Sequence, residues 1–286
     1  MKHKPVFLYS IRLFVMLFTM VGMLGFPALS SAAGAGSFFD MQEGVNIIGL
    51  GIGGVPDYQG SEDYEAGIGP FGRYHYSGNR YINVLGPELS WNVSNDEVWQ
   101  FGPRLMYRFG RDDDVEDKVV KRMREIDDTV EAGAFVVASY ELDPNDPRER
   151  LAFSADLLAD VGNEHDGWIS TFGLKYWVPV ARAVVMHVGG GFSYASDDYV
   201  DTYFGIHGTD VLLFPSLGGR SYDADGGIND VRAVIGALVH LSPDWHLGAG
   251  VRYQRLLGDA KDSPVVDERG DANQWVFGVG LGYAWQ

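Results

Sequence analysis

From about residue 43 onward, hydrophobic and polar positions alternate in blocks of roughly ten residues, the length of a membrane-crossing strand. The last block shows it most clearly: Trp275, Phe277, Val279, Leu281, Tyr283 and Trp285 share one face, while Gln274, Gly278, Gly280, Gly282 and Ala284 share the other. A period of two is the signature of a strand, whose successive side chains point to opposite faces. Trp99, Phe101, Leu105, Tyr107 and Phe109 likewise oppose Gln100, Gly102, Arg104 and Arg108. Trp168, Phe172, Leu174, Tyr176 and Val178 oppose Thr171, Gly173 and Lys175. Val231, Ala233, Ile235, Ala237 and Val239 oppose Asp230, Arg232, Gly236 and His240, and Trp245, Leu247, Ala249, Val251 and Tyr253 oppose His246, Gly248, Gly250, Arg252 and Gln254.

A soluble sandwich alternates too, but its apolar face fills a packed core and favours Val, Ile and Leu. Here the apolar faces begin and end in Trp, Tyr or Phe, and the reverse faces hold Gly, Arg, Gln and His. That combination predicts an all-β transmembrane antiparallel β-barrel, with aromatic girdles at two interfaces and a polar lumen. The pattern predicts strands near 43–54, 64–76, 97–110, 130–142, 149–162, 166–178, 183–195, 226–241, 245–257 and 273–285. The stretch 79–94 is ambiguous: one strand there would make 11, and a split at Gly86-Pro87 makes 12. Single-chain bacterial barrels carry even numbers with both termini in the periplasm, so 12 is the expected count. The short connections 94–96, 143–148, 179–182 and 242–244 then fall on the periplasmic side, and the long ones, 55–63, 111–129, 196–225 and 258–272, fall outside.

Residues 1–33 read as a secretory signal rather than as part of the fold. Lys2 and Lys4 precede an apolar run over Leu13–Phe26, and Ser31-Ala32-Ala33 offers small residues for cleavage. The run is too short to span a bilayer as a helix. Residues 34–286 are then the barrel domain, destined for the outer membrane, with lipid and lipopolysaccharide as its surroundings and the barrel-assembly machinery as its route in. The chain has 22 Lys+Arg against 39 Asp+Glu, a net −17; loss of Lys2, Lys4 and Arg12 makes the remainder more acidic still. Such a balance argues against nucleic acid as a partner. With no cysteine, disulfides and thiolate metal sites are excluded.

Candidate chemistry is sparse. Asp112, Asp113 and Asp114, followed by Glu116 and Asp117, could hold a divalent cation, since oxygen ligands suit Ca²⁺ and Mg²⁺. The spacing of a calcium loop is missing, so the run is expected to be a mobile, solvated segment, and Asp197, Asp198 and Asp201 are read the same way. No metal site or other cofactor is expected. His165, His187, His207, His240 and His246 lack the Gly-x-Ser-x-Gly or His-Glu-x-x-His context of a hydrolase, and no enzymatic activity is expected. The inward charges are more informative. Parity puts Arg104, Arg108, Lys175, Arg232 and Arg252 on the same side as Glu131, Glu141, Asp156 and Asp160, where they either pair and block the lumen or line a narrow aqueous path.

Several stretches resemble the MipA/OmpV family, the MltA-interacting proteins of Gram-negative outer membranes. They are Pro56-Asp57-Tyr58-Gln59-Gly60-Ser61-Glu62-Asp63-Tyr64, the run Phe101 to Asp113, Asp201-Thr202-Tyr203-Phe204-Gly205-Ile206, and Gly250 to Ala260 followed by Ser263-Pro264-Val265-Val266. The resemblance implies an outer-membrane barrel and, for some members, a scaffold that brings a murein transglycosylase together with a murein synthase. Other members are similar to small-solute channels or surface adhesins. It implies no catalytic residue; its motifs are glycine, aromatic and turn residues. One departure is the final Gln286 after Trp285, where such barrels commonly end in an aromatic.

Overall fold

The computed structural model describes residues 45–285. The segment expected to be a secretory signal, the expected start of the barrel domain and Gln286 lie outside them. Twelve strands form a closed antiparallel barrel: β1 (Asn46–Pro56), β2 (Tyr64–Ser77), β3 (Arg80–Leu85), β4 (Glu88–Asn92), β5 (Trp99–Arg108), β6 (Thr129–Glu141), β7 (Arg150–Asp160), β8 (Trp168–Ala181), β9 (Val184–Ala195), β10 (Gly227–His240), β11 (Trp245–Leu256) and β12 (Asn273–Trp285). Every strand pairs with its neighbours in sequence, and β12 closes onto β1. The stretch left ambiguous by the alternation is two strands. Gly86, at a left-handed φ of 57° that a side chain would resist, turns the chain between β3 and β4.

The wall presents its apolar face outward. Leu50 and Ile52 are 58% and 60% exposed, and Phe153, Leu157, Leu174, Ile235, Val279 and Leu281 are exposed beside them. In water that surface would be strongly unfavourable; in a bilayer it is the required one. Aromatic residues gather near both ends of the wall. At one end Trp168 stacks on Tyr194 at 5.8 Å and Tyr253 meets Trp275 at 4.8 Å; at the other Trp245 lies 5.3 Å from Tyr283, with Trp99 near the same level. These girdles mark the barrel as membrane-spanning on physical grounds, because amphipathic rings settle where lipid meets water.

The seam between β1 and β12 has a distinctive inner face. Glycine faces glycine at three successive inward positions: Gly49↔Gly282, Gly51↔Gly280 and Gly53↔Gly278. Side chains from nearby use part of the space. The Phe71 ring lies where a Cβ on Gly49 would fall, and Ile47 does the same at Gly282. Ile47, Phe71, Leu238 and Ala284 form a small apolar cluster there.

The two ends of the barrel differ. At one, the connections 78–79, 182–183 and 241–244 are short turns. At the other, the long segments fold into a cap rather than extending as mobile loops. It contains α1 (Asp197–Phe204), α2 (Gly258–Asp262) and α3 (Pro264–Asp267), together with 3₁₀ segments at Val120–Arg122, Gly208–Leu213 and Pro215–Leu217. Tyr199, Phe204, Ile206, Phe214, Leu256, Val265 and Val266 are completely or almost completely buried, in two adjoining apolar clusters.

Candidate functional site

The cap is assembled by the motif residues themselves. Tyr58 is buried and its hydroxyl donates to Arg269 O at 3.4 Å. Gly60 N donates to Gln274 Oε1 at 3.2 Å, and Gln274 Nε2 donates to Ser61 O at 2.8 Å, tying the β1–β2 connection to β12. Asp57, just after Pro56, accepts from Glu116 N at 2.9 Å. In α1, Ser196 caps the N-terminus and Asp197 and Asp198 occupy the first turn, where carboxylates favour the helix dipole. Asp201 accepts from Ala224 N at 2.9 Å and from His207. Arg111 Nη1 donates to Tyr203 O at 3.3 Å, Ser263 Oγ donates to Phe204 O at 2.6 Å, and Gly205 N closes the helix onto Asp201 O. Burial brings the Arg111 guanidinium down to about 10, with Tyr58 and Asp210 pulling the other way.

The acidic run divides. Asp112, Asp113 and Asp114 are exposed, as a solvated run should be, but Asp117 is nearly buried. Arg269 Nη2 donates to Asp117 Oδ2 at 2.5 Å, and the amides of Val119 and Val120 donate to Oδ1 at 2.8 Å each. Burial alone would raise this carboxyl, but those hydrogen bonds outweigh it and hold it below the usual carboxylate range. Asp117 thus joins the β5–β6 connection to the β11–β12 connection, a departure from the mobile segment expected. Among the described residues no three His, Asp or Glu side chains converge as a metal ion would need.

Below the cap, the inward charges arrange in tiers. Arg108 donates in a bidentate pair to Glu131, at 2.6 and 2.8 Å, and its guanidinium lies 5.1 Å from the Tyr199 ring. His165 is buried; its Nδ1 accepts from Gly167 N at 3.1 Å, so Nε2 donates to Glu131 Oε1, 3.0 Å away. That tier binds wall to cap. One tier down, Arg104 meets Asp156 at 3.1 Å and Glu88 at 3.4 Å, and Arg232 meets Asp230 at 2.8 Å. Ser193 donates to the same Asp230. Arg252 is buried at this level.

Asp160, Glu141 and Lys175 stand outside these tiers. Asp160 faces the β7–β8 turn and accepts from Thr129 Oγ1 at 2.6 Å and from the amides of Gly162, His165 and Asp166. Glu141 is exposed at the short-turn rim. Lys175 Nζ lies 5.2 Å from the Trp177 ring. Parity identified the face of each residue but not its height or its partner across the lumen. Asp230 was placed on the polar face but not paired with Arg232, and Glu88, Arg73 and Arg150, which also face the lumen, were not singled out.

Cavities lie inside the wall. One of about 110 Å³ lies under the cap, between Gln59, Tyr199, Arg108 and Asp156. Another, of about 270 Å³, is lined by strand residues alone and reaches toward the short-turn end through Tyr81, Gln100, Arg150 and Trp177. Arg104, Arg232 and Arg252 border both.

A family model described as MltA-interacting protein MipA matches residues 48–285. No curated protein is similar enough to match. Among solved structures, the COG4313 outer membrane channel from Pseudomonas putida F1 is similar at 12% identity and a TM-score of 0.46, covering 86% of this chain and 97% of its own. The NanC porin matches at 10% identity and a TM-score of 0.45, over 84% of this chain and 98% of its own. The translocator domain of the autotransporter NalP from Neisseria meningitidis matches at 13% identity and a TM-score of 0.40, over 97% and 98%.

Proposed function

Because this chain belongs to the MipA family of MltA-interacting proteins, we propose that it is a non-catalytic outer-membrane scaffold holding murein enzymes, a transglycosylase and a synthase, at the periplasmic face. The observation that supports this most directly is the cap. The loop end is roofed by a folded layer with its own apolar core, and the Arg108–Glu131–His165 tier anchors that roof to the wall. A wall sealed at one end serves poorly as a conduit and well as a fixed platform. The short-turn end, periplasmic by the usual topology, carries Asp96, Glu97, Asp143, Asp146 and Asp244 around Arg148 and Arg182. An acidic rim of this kind suits a basic partner surface. Lipopolysaccharide around the cap and the barrel-assembly machinery complete the proposed set of partners.

Crosslinking in intact envelopes, followed by purification of the barrel, should recover murein enzymes. Purified protein in planar bilayers should carry little or no steady current. A second reading, a narrow channel for small solutes, draws on the lumen cavities and requires the cap to move aside. Steady conductance by the parent protein, with ion selectivity altered by Arg104→Ala and Arg252→Ala, would replace the scaffold with that channel.

A further inference from the structure

A small space within the cap is bordered by a buried guanidinium whose partners among the described residues are all neutral. About 20 Å³ in volume, it lies between Tyr58, Arg108, Gly110, Arg111, Ile126 and Tyr203. Arg111 is only 6% exposed. Its Nη1 donates to Tyr203 O at 3.3 Å, and its guanidinium carbon lies 5.8 Å from the Tyr58 ring. Nε is buried with no hydrogen-bond partner there, and the buried Tyr203 hydroxyl likewise has none. Arg108 and Arg269 differ, since each meets a carboxylate, that of Glu131 and of Asp117.

The backbone keeps Arg111 inside. Arg111 and Ile126 exchange both amide hydrogen bonds at 2.8 Å, and a Cβ on Gly110 would fall 1.8 Å from Ile126 O. The two segments thus lie too close for the main chain to turn the side chain outward. Burial works against the charge and Arg124 repels it; Asp210 attracts it without forming an ion pair, its carboxylate accepting from Arg124 N at 3.0 Å. A buried cation is ordinarily paired, because leaving water without a counter-charge is strongly unfavourable. Here two unused donors, one of them charged, belong to residues bordering the same space, and no carboxylate lines it.

We propose that this space binds a monatomic anion of chloride's size, held between the Arg111 guanidinium and the Tyr203 hydroxyl. A single water needs about 10–15 Å³, so about 20 Å³ admits one particle of that scale and excludes phosphate or a carboxylic acid. Water would accept the hydrogen bonds but bring no charge, whereas a halide accepts them and neutralises the cation. The anion would join three parts of the cap: the β1–β2 connection through Tyr58, the β5–β6 connection through Arg111, and α1 through Tyr203. Chloride should therefore tighten the cap, the opposite of the loosening that general screening would give at the exposed side of the Asp117–Arg269 pair. The inference is independent of the scaffold reading: a barrel can hold a murein enzyme with or without a halide in its cap.

The test is limited proteolysis of the purified full-length barrel in neutral detergent micelles, dialysed into sodium gluconate, with chloride then replacing gluconate at constant ionic strength. Rates are normalised to the protease's rate on a denatured substrate in the same salt. Cleavage within the cap should slow saturably with chloride, and with bromide in a parallel arm. Tyr203→Phe keeps the ring and removes one donor, so the half-saturating chloride concentration should rise about tenfold, the usual loss for a hydrogen bond to a charged group. Arg111→Met should abolish the dependence. Lys261→Gln, which removes an exposed cap cation paired with Asp262, should leave it as in the parent. Heat-modifiable gel mobility reports whether each variant has folded. The parent measurement decides even if a variant fails to fold: equal cleavage in chloride and gluconate at every concentration overturns the proposal and leaves the space to water. So does a chloride effect undiminished in folded Arg111→Met or Tyr203→Phe, which would put the halide elsewhere.

Discussion

Asp117 accepts from two amides of its own segment and from the guanidinium of Arg269, 152 residues further along the chain. Its lowered folded value fixes the sign of its pH dependence. The stabilisation it gives the cap is complete above the ordinary carboxylate range near 3.9 and is lost only as the pH falls through the folded value. Arg269 is about one-third exposed, so the ion pair itself contributes no more than about 1 kcal/mol. Asp117→Asn should therefore speed proteolytic cleavage within 109–128 at neutral pH while the barrel keeps its folded gel mobility. Asn at Asp112, Asp113 and Asp114 together should change stability by no more than about 0.5 kcal/mol, since those side chains are exposed. Equal protease resistance in Asp117→Asn and its parent would remove the latch. The sequence treats all these carboxylates alike. What separates Asp117 from its neighbours is a partner distant in sequence, and local patterning carries no information about that.

The strands were legible because a lipid-facing wall imposes period two on long stretches, and most boundaries fall within two or three residues of the alternation. Even the β3–β4 split, argued from parity, coincides with a left-handed glycine. The cap helices were not legible. They are eight, five and four residues long, too short for a helical period to emerge. A signal was nonetheless present: Tyr58, Phe204, Val265 and Val266 are apolar residues in connections where solvated loops would be polar. The two faces of one ladder offer a direct check on the register. Leu174 points to lipid near the middle of β8, and Ser154, one position away in the facing strand β7, lines the lumen cavity. Leu174→Arg should cost about 2–4 kcal/mol in the bilayer and reduce heat-modifiable folding, whereas Ser154→Arg should fold. Equal folding of the two would show that the faces are assigned wrongly.

At the scale of the whole molecule, eleven strand pairings join neighbours in sequence and one joins the two ends of the wall. The alternation foretold closure, because an even barrel must close, but gave no warning that glycine would meet glycine along the inner seam. Leu281 offers a controlled comparison, since it faces Leu50 across the seam and Leu247 on its other side. The chain has no cysteine, so a Leu50→Cys, Leu281→Cys pair would form one defined link enclosing roughly 230 residues, against roughly 30 for Leu247→Cys with Leu281→Cys. The first link should slow unfolding markedly and the second little; a reversal would mean that the barrel parts elsewhere. The reason lies in the order of events. A hairpin closes a short loop, whereas the seam closes nearly the whole chain, at an extra entropic cost of roughly 2 kcal/mol. The three glycine pairs bring no side chains of their own to offset it. The seam should then be the last joint to form and the first to part, so that the lifetime of the folded protein is governed along one line of the wall, where backbone hydrogen bonds carry most of the load.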